Sequence, residues 1–138
     1  MKRSEILENR QKVIAFLKDP ARKKHKGTLE SIVDNEARCC LGHMCVALNI
    51  ERKVLGDSVR YDNANITISR STAELIGLHG VLGQVIDGCI EYKCNHYFSL
   101  VSLNDASNIT TQEIGAYLES VIEGGPNTPW KRLEDYED

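Results

Sequence analysis

Cys39-Cys40-Leu41-Gly42-His43-Met44-Cys45-Val46-Ala47-Leu48 runs for ten positions without a charged residue. At the helical period Cys40, Leu41, Met44, Ala47 and Leu48 share one broad face with Cys45 at its margin. Cys39, Gly42, His43 and Val46 occupy the other side. A helix without a polar face gains nothing from water on either side, so this one belongs inside the protein. The chain has 138 residues, enough for one real core and too few for two ordinary domains. The 39–48 helix is therefore expected to be the pillar against which the other elements pack.

Upstream, Ser4 can cap a helix whose stripe is Ile6, Leu7, Val13, Ile14 and Leu17, and Asp19-Pro20 ends it, because the residue before proline avoids the helical region. Arg22-Lys23-Lys24-His25-Lys26-Gly27 follows as a cationic loop, either a solvated connector or a contact for phosphate or an acidic partner. Thr28 to Val33 is read as a strand, Asp34-Asn35-Glu36 as a turn, and Ala37-Arg38-Cys39 as a segment able to pair back. That places Arg38 and the first amides of the central helix at one anion-attracting corner.

Downstream, Lys53 to Ile68 reads as a meander with turns at Gly56-Asp57 and Asp62 to Asn65. Ser71-Thr72-Ala73-Glu74 has capping-box spacing and opens a short helix ending at Gly77. Leu78 to Leu103 is read as strand-like, with Asn104-Asp105 as a turn closing it. Thr110-Thr111-Gln112-Glu113 is a second capping box, starting a helix with the stripe Ile114, Tyr117, Leu118, Val121 and Ile122, stopped by Gly124-Gly125-Pro126. The expected fold is α+β, with a small, mainly antiparallel sheet packed by three to four helices and the 39–48 helix innermost. Residues 1–125 are expected to form a single globular domain and 126–138 a C-terminal tail, acidic at its end, with Trp130 as its possible anchor.

The composition, 41% apolar and 27% charged, belongs to a globular protein. No apolar window approaches a membrane span and the N-terminus has no signal-peptide core, so a cytosolic protein is expected. Five cysteines, two of them adjacent, argue for reduced thiols. Residues 1–26 hold nine Lys or Arg against three acidic residues, within a chain of net charge −3. A duplex binder would carry its basic excess over the whole domain, so nucleic acid is not an expected partner.

Cys39 and His43 stand four apart near a helix N-terminus, an arrangement that could activate a thiolate, although a Cys on an apolar helix is more often packing. Cys39 and His43 could also join Cys89, Cys94 and His96 in a metal site, with looser spacing than structural zinc sites use. A Walker loop, a dinucleotide glycine fingerprint, a Gly-x-Ser-x-Gly elbow and a His-Glu-x-x-His pair are all missing from the sequence. No catalytic residue and no metal or other cofactor is assigned.

Cys39-Cys40-Leu41-Gly42-x-x-Cys45, Leu75-Ile76-Gly77-Leu78, Leu103-Asn104-Asp105 and Thr110-x-x-Glu113-Ile114-x-x-Tyr117-Leu118-Glu119 occur in an order that resembles a widespread family of small, mostly uncharacterised bacteriophage proteins. The family has a Cys-Cys-Leu-Gly-x-x-Cys helix and a later Leu-Asn-Asp step before a terminal helix. Val46 stands where its pattern has an acidic residue, and His43 where it has an aliphatic one. The resemblance implies a phage accessory protein acting in the cytoplasm of a bacterial host. By analogy with other small phage accessory families, it is expected to antagonise host defence by sequestering a nucleotide-derived immune signal without cleaving it, as a homo-oligomer. For such a ligand the chain offers Lys24, Lys26, Arg38 and Arg60 to phosphate, Tyr61 or Tyr97 to a base, and Asn104 and Asp105 to ribose. The alternatives are an inhibitor that masks a host defence protein, through its acidic tail and Trp130, and a thiol- or metal-dependent enzyme.

Overall fold

The computed structural model describes residues 1–138, and its innermost element is the uncharged helix. Helix α2 (Cys40–Ala47) buries Cys40, Leu41, Gly42, His43, Met44 and Cys45, and the Sγ of its N-cap, Cys39, accepts the Gly42 N–H at 3.4 Å. Gly42 is where the chain comes closest: a Cβ there would lie 1.9 Å from the Leu29 carbonyl oxygen. The glycine of the Cys-Cys-Leu-Gly run thus lets the backbone of the preceding loop lie directly on the helix.

Helix α1 (Arg3–Lys18) packs on α2 and buries Ile6, Val13, Ile14 and Leu17. It starts one residue before Ser4, and the Glu5 carboxylate accepts the Lys2 N–H at 3.1 Å. Arg10 is fully buried on the same stripe. Its guanidinium donates to the carbonyls of Ile76 (2.8 Å), Gly77 (3.1 Å), Ile122 (2.7 Å) and Lys131 (2.8 Å), and stacks 4.7 Å from the Trp130 ring. Burial lowers its pKa to about 10, so it stays charged at neutral pH, held by carbonyl dipoles in place of a carboxylate.

The strands form three two-stranded pieces. The strands β1 (Lys23–Lys24) and β2 (Ala37–Arg38) run parallel; β3 (Arg52–Leu55) with β4 (Ser58–Tyr61), and β5 (Ile90–Tyr92) with β6 (Asn95–Tyr97), are antiparallel hairpins. The class is α+β and its pairing mainly antiparallel, with the strand content dispersed around the helices. Thr28 to Val33 makes only an isolated bridge, Glu30 to Arg38. Glu30 is buried, and its carboxylate accepts from Arg38 Nε (3.1 Å), Arg52 Nε (3.0 Å) and the Tyr61 hydroxyl. Burial opposes its charge, but these donors outweigh it and hold its pKa below the usual carboxylate value.

Helix α3 (Arg70–Ile76) ends at Gly77, whose φ of 67° is left-handed, but its cap is Ser69, whose Oγ accepts the Thr72 N–H at 3.1 Å. Residues Leu100–Asp105 form helix α4, which corrects the strand reading of this stretch. The Ser99 hydroxyl caps it through the Ser102 N–H, and Leu100 and Leu103 bury together at helical spacing. Helix α5 (Thr111–Ser120) carries the expected capping box: Thr110 Oγ1 accepts the Glu113 N–H, and the Glu113 carboxylate accepts the Thr110 N–H. It packs along α1, with Gly115 seated against Leu17 and Lys18.

Residues 126–138 return to this same core. Trp130 is fully buried and its indole N–H donates to the Leu118 carbonyl at 3.1 Å; a short 3-10 turn, Leu133–Asp135, buries Leu133, whose carbonyl accepts from Arg3 Nε. No helix is long and apolar enough to cross a membrane.

Candidate anion-binding cleft

The parallel pair β1–β2 brings the cationic loop 22–27 alongside the mouth of α2, and Lys24 fastens it to the α4–α5 connection. Lys24 Nζ donates to the carbonyls of Ala106 and Ile109, the latter at 2.6 Å. Its pKa is lowered, first by burial and then by neighbouring Lys26, against the pull of Asp105. Gln112 ties the same two segments from the other side, its Nε2 donating to the carbonyls of Asp19 (2.9 Å) and Arg22 (3.1 Å). Arg22 lies over the Phe16 ring at 3.5 Å and donates to the Phe16 carbonyl.

Between these walls lies an open cleft of about 540 Å³, lined by Arg22, Lys24, His25, Lys26, Ser107, Ile109, Thr110, Thr111 and Gln112. Arg22, Lys24, Lys26 and His25 line it and no carboxylate does, but Arg22 pairs with Asp19 at 3.4 Å and Lys24 Nζ is held by the two carbonyls. Lys26 is exposed and makes no ion pair. The cleft also contains the start of α5, where the Glu113 amide is capped by Thr110 but those of Thr111 and Gln112 make no hydrogen bond. Thr111 is 1% exposed, and its hydroxyl has no hydrogen-bond partner at all. A buried hydroxyl left unpaired costs roughly 1–3 kcal/mol. Cations and free helix amides at one opening suit a small oxyanion such as a phosphate.

No protein-family model, curated protein or solved structure matches this chain. Its site is therefore read from its own chemistry.

Of the residues proposed from sequence, Lys24 and Lys26 line the cleft. Asn104 lies behind it, 1% exposed and fully used: its Oδ1 accepts the Cys40 N–H at 3.0 Å and its Nδ2 donates to the His25 carbonyl at 2.9 Å. It satisfies an orphan amide at the start of α2 and holds the 22–27 loop. Asp105 is exposed beside it, on a narrow cavity of about 30 Å³ shared with Cys39 and Cys40. Arg38 is engaged by Glu30. The Tyr61 ring, 1% exposed with its hydroxyl on Glu30, has no face open for stacking. Arg60 Nε donates to Ser58 Oγ on β4, and Tyr97 is half-buried on β6, so neither belongs to the cleft. Ile109 is the only apolar residue lining the cleft, which suits it to phosphate or phosphosugar more than to a base.

The Cys39 and His43 pair is not an activated couple. Burial pushes the Cys39 thiol up to about 11, and His43 Nε2 lies 2.7 Å from the Lys23 carbonyl, which fixes its proton there. Burial lowers the His43 pKa to about 4, and its Nδ1 is buried without a partner. Neither residue joins Cys89, Cys94 and His96 in one metal set.

Proposed function

We propose that this protein is a non-enzymatic binder of a small phosphate-bearing anion, held in the cleft between the 22–27 loop and the start of α5. The observation that carries this is the lining of the cleft: Lys26 without an ion pair, no carboxylate, and the unbonded Thr111 and Gln112 amides at the start of α5. Taken with the sequence resemblance, the same cleft supports a phage accessory protein that sequesters a nucleotide-derived defence signal in the cytoplasm of the bacterial host, gripping its phosphates. The test is thermal shift with cyclic and ADP-ribose-derived nucleotides, followed by denaturation and chromatography of the released ligand. Stabilisation with the ligand recovered intact is expected. A cleaved ligand would overturn the non-enzymatic role, and no stabilisation by any of them would overturn the sequestration of a nucleotide.

A second function has its own observation. Val33 is 92% exposed, Ile66 61% and Ile32 52%, and Ile32 and Val33 border a groove with Asp57, Ser58 and Val59. Such exposed aliphatics suit a protein interface, either with a host factor or with a second copy of the chain. Light scattering of the wild type and a Val33→Asp variant separates the two: a dimer abolished by the substitution identifies the second copy, and a monomer in both leaves the host factor.

A further inference from the structure

The β5–β6 hairpin carries a side-chain cluster that the cleft does not use. Glu91 and His96 are direct cross-strand partners, and Cys89 lies two residues before Glu91, so strand alternation sends all three to one face. Cys89 Sγ is 3.1 Å from His96 Nδ1, and that nitrogen is 3.8 Å from a Glu91 carboxylate oxygen; the three ligand atoms all lie within 4.8 Å of one another. Ligand atoms around a tetrahedral zinc ion stand about 3.5 Å apart, so small rotamer adjustments suffice to seat one. Thiolate, imidazole and carboxylate together suit a borderline-soft divalent ion, whereas calcium and magnesium take all-oxygen sets.

We propose that Cys89, Glu91 and His96 form a surface site for a zinc-class divalent metal on the β5–β6 hairpin, with a fourth coordination position open to water or an external ligand. The ladder fixes the spacing of Glu91 and His96 before any metal arrives. Cys94 is outside the set. That residue sits in the turn, at a left-handed φ of 63° next to Lys93 at 48°, and its thiol is exposed. Metal would tie Cys89, outside the ladder, to both strands.

The test uses reduced, tag-free full-length protein, titrated with Co²⁺ and then with Zn²⁺ in competition with a chromophoric chelator. One metal per chain and a thiolate-to-cobalt charge-transfer band are expected. Cys89→Ser and His96→Ala should each weaken binding by at least about tenfold, while Cys94→Ser leaves it unchanged. The substituted side chains are half-buried or exposed, so the metal-free variants should melt with the wild type. No cobalt band, a band that survives Cys89→Ser, or a band lost in Cys94→Ser would each overturn the site.

Discussion

Replacing Gly42 by alanine should destabilise the protein, although in most helices the same change stabilises by about 1 kcal/mol. The new Cβ would stand 1.9 Å from the Leu29 carbonyl oxygen, 2.8 Å from its carbon and 3.2 Å from Arg38 Cβ. Leu29 cannot yield cheaply. It is fully buried, its N–H donates to the Asn65 carbonyl at 2.7 Å, and its own carbonyl accepts the Cys39 N–H at 3.2 Å. Relief requires the loop to lift off α2, losing that last hydrogen bond, worth about 1 kcal/mol, and costing a further 1–3 kcal/mol, roughly, in overpacking. Net of the propensity gain, the loss is about 2 kcal/mol, or about 7 °C in Tm for a chain of this length. Urea and thermal unfolding followed by circular dichroism measure it. A Gly42→Ala protein as stable as the parent would refute the close approach of loop and helix.

Acid should weaken the fold in two stages. The His43 pKa is about 4 in the folded protein and 6.5 in the unfolded chain, so its contribution is complete above pH 6.5 and is lost as pH falls towards 4, because only the unfolded chain takes up the proton. The loss is about 3 kcal/mol, read from urea unfolding across that range, and His43→Leu should flatten this stage. Glu30, also depressed, contributes above its unfolded value of 4.5 and loses that contribution below it, so its stage persists in the variant. Arg10→Met should cost more than about 3 kcal/mol, because four backbone carbonyls lose their donor; a melting temperature within a few degrees of wild type would contradict that role.

The parts legible in the sequence are those set by local chemistry. The uncharged run could only be a buried helix, the α1 stripe has helical spacing, and Thr110 and Glu113 lie at capping-box distance. Arg10 was missed: it stands four residues after Ile6 and three before Val13, on the buried stripe, but its charge argued for the surface. Leu100–Asp105 misleads because a short apolar run fits strand and helix alike, and Ser99 decides between them only once its hydroxyl is seen to cap. Ser71 misled for the opposite reason: it has the capping-box spacing, yet Ser69 takes the Thr72 amide. Half of the cleft was visible as the cationic loop. Its other wall, residues 107–112, lies more than 80 positions away and meets the loop through Lys24 and Gln112, a pairing no local pattern encodes. Tyr61 shows the same limit: its ring goes inside with Val59 by strand alternation, and its hydroxyl partner Glu30 lies 31 positions away.

The proposed oxyanion would dock on the first amides of α5 beside Lys26. The most direct measurement of this docking is a ¹⁵N-resolved nuclear magnetic resonance titration with inorganic pyrophosphate at constant ionic strength. Saturable shifts should centre on the Thr111 and Gln112 amides, with binding weakened in Lys26→Ala. Amides at 111 and 112 that stay in place while the rest of the spectrum moves, or that do not respond at saturating pyrophosphate, would contradict the claim.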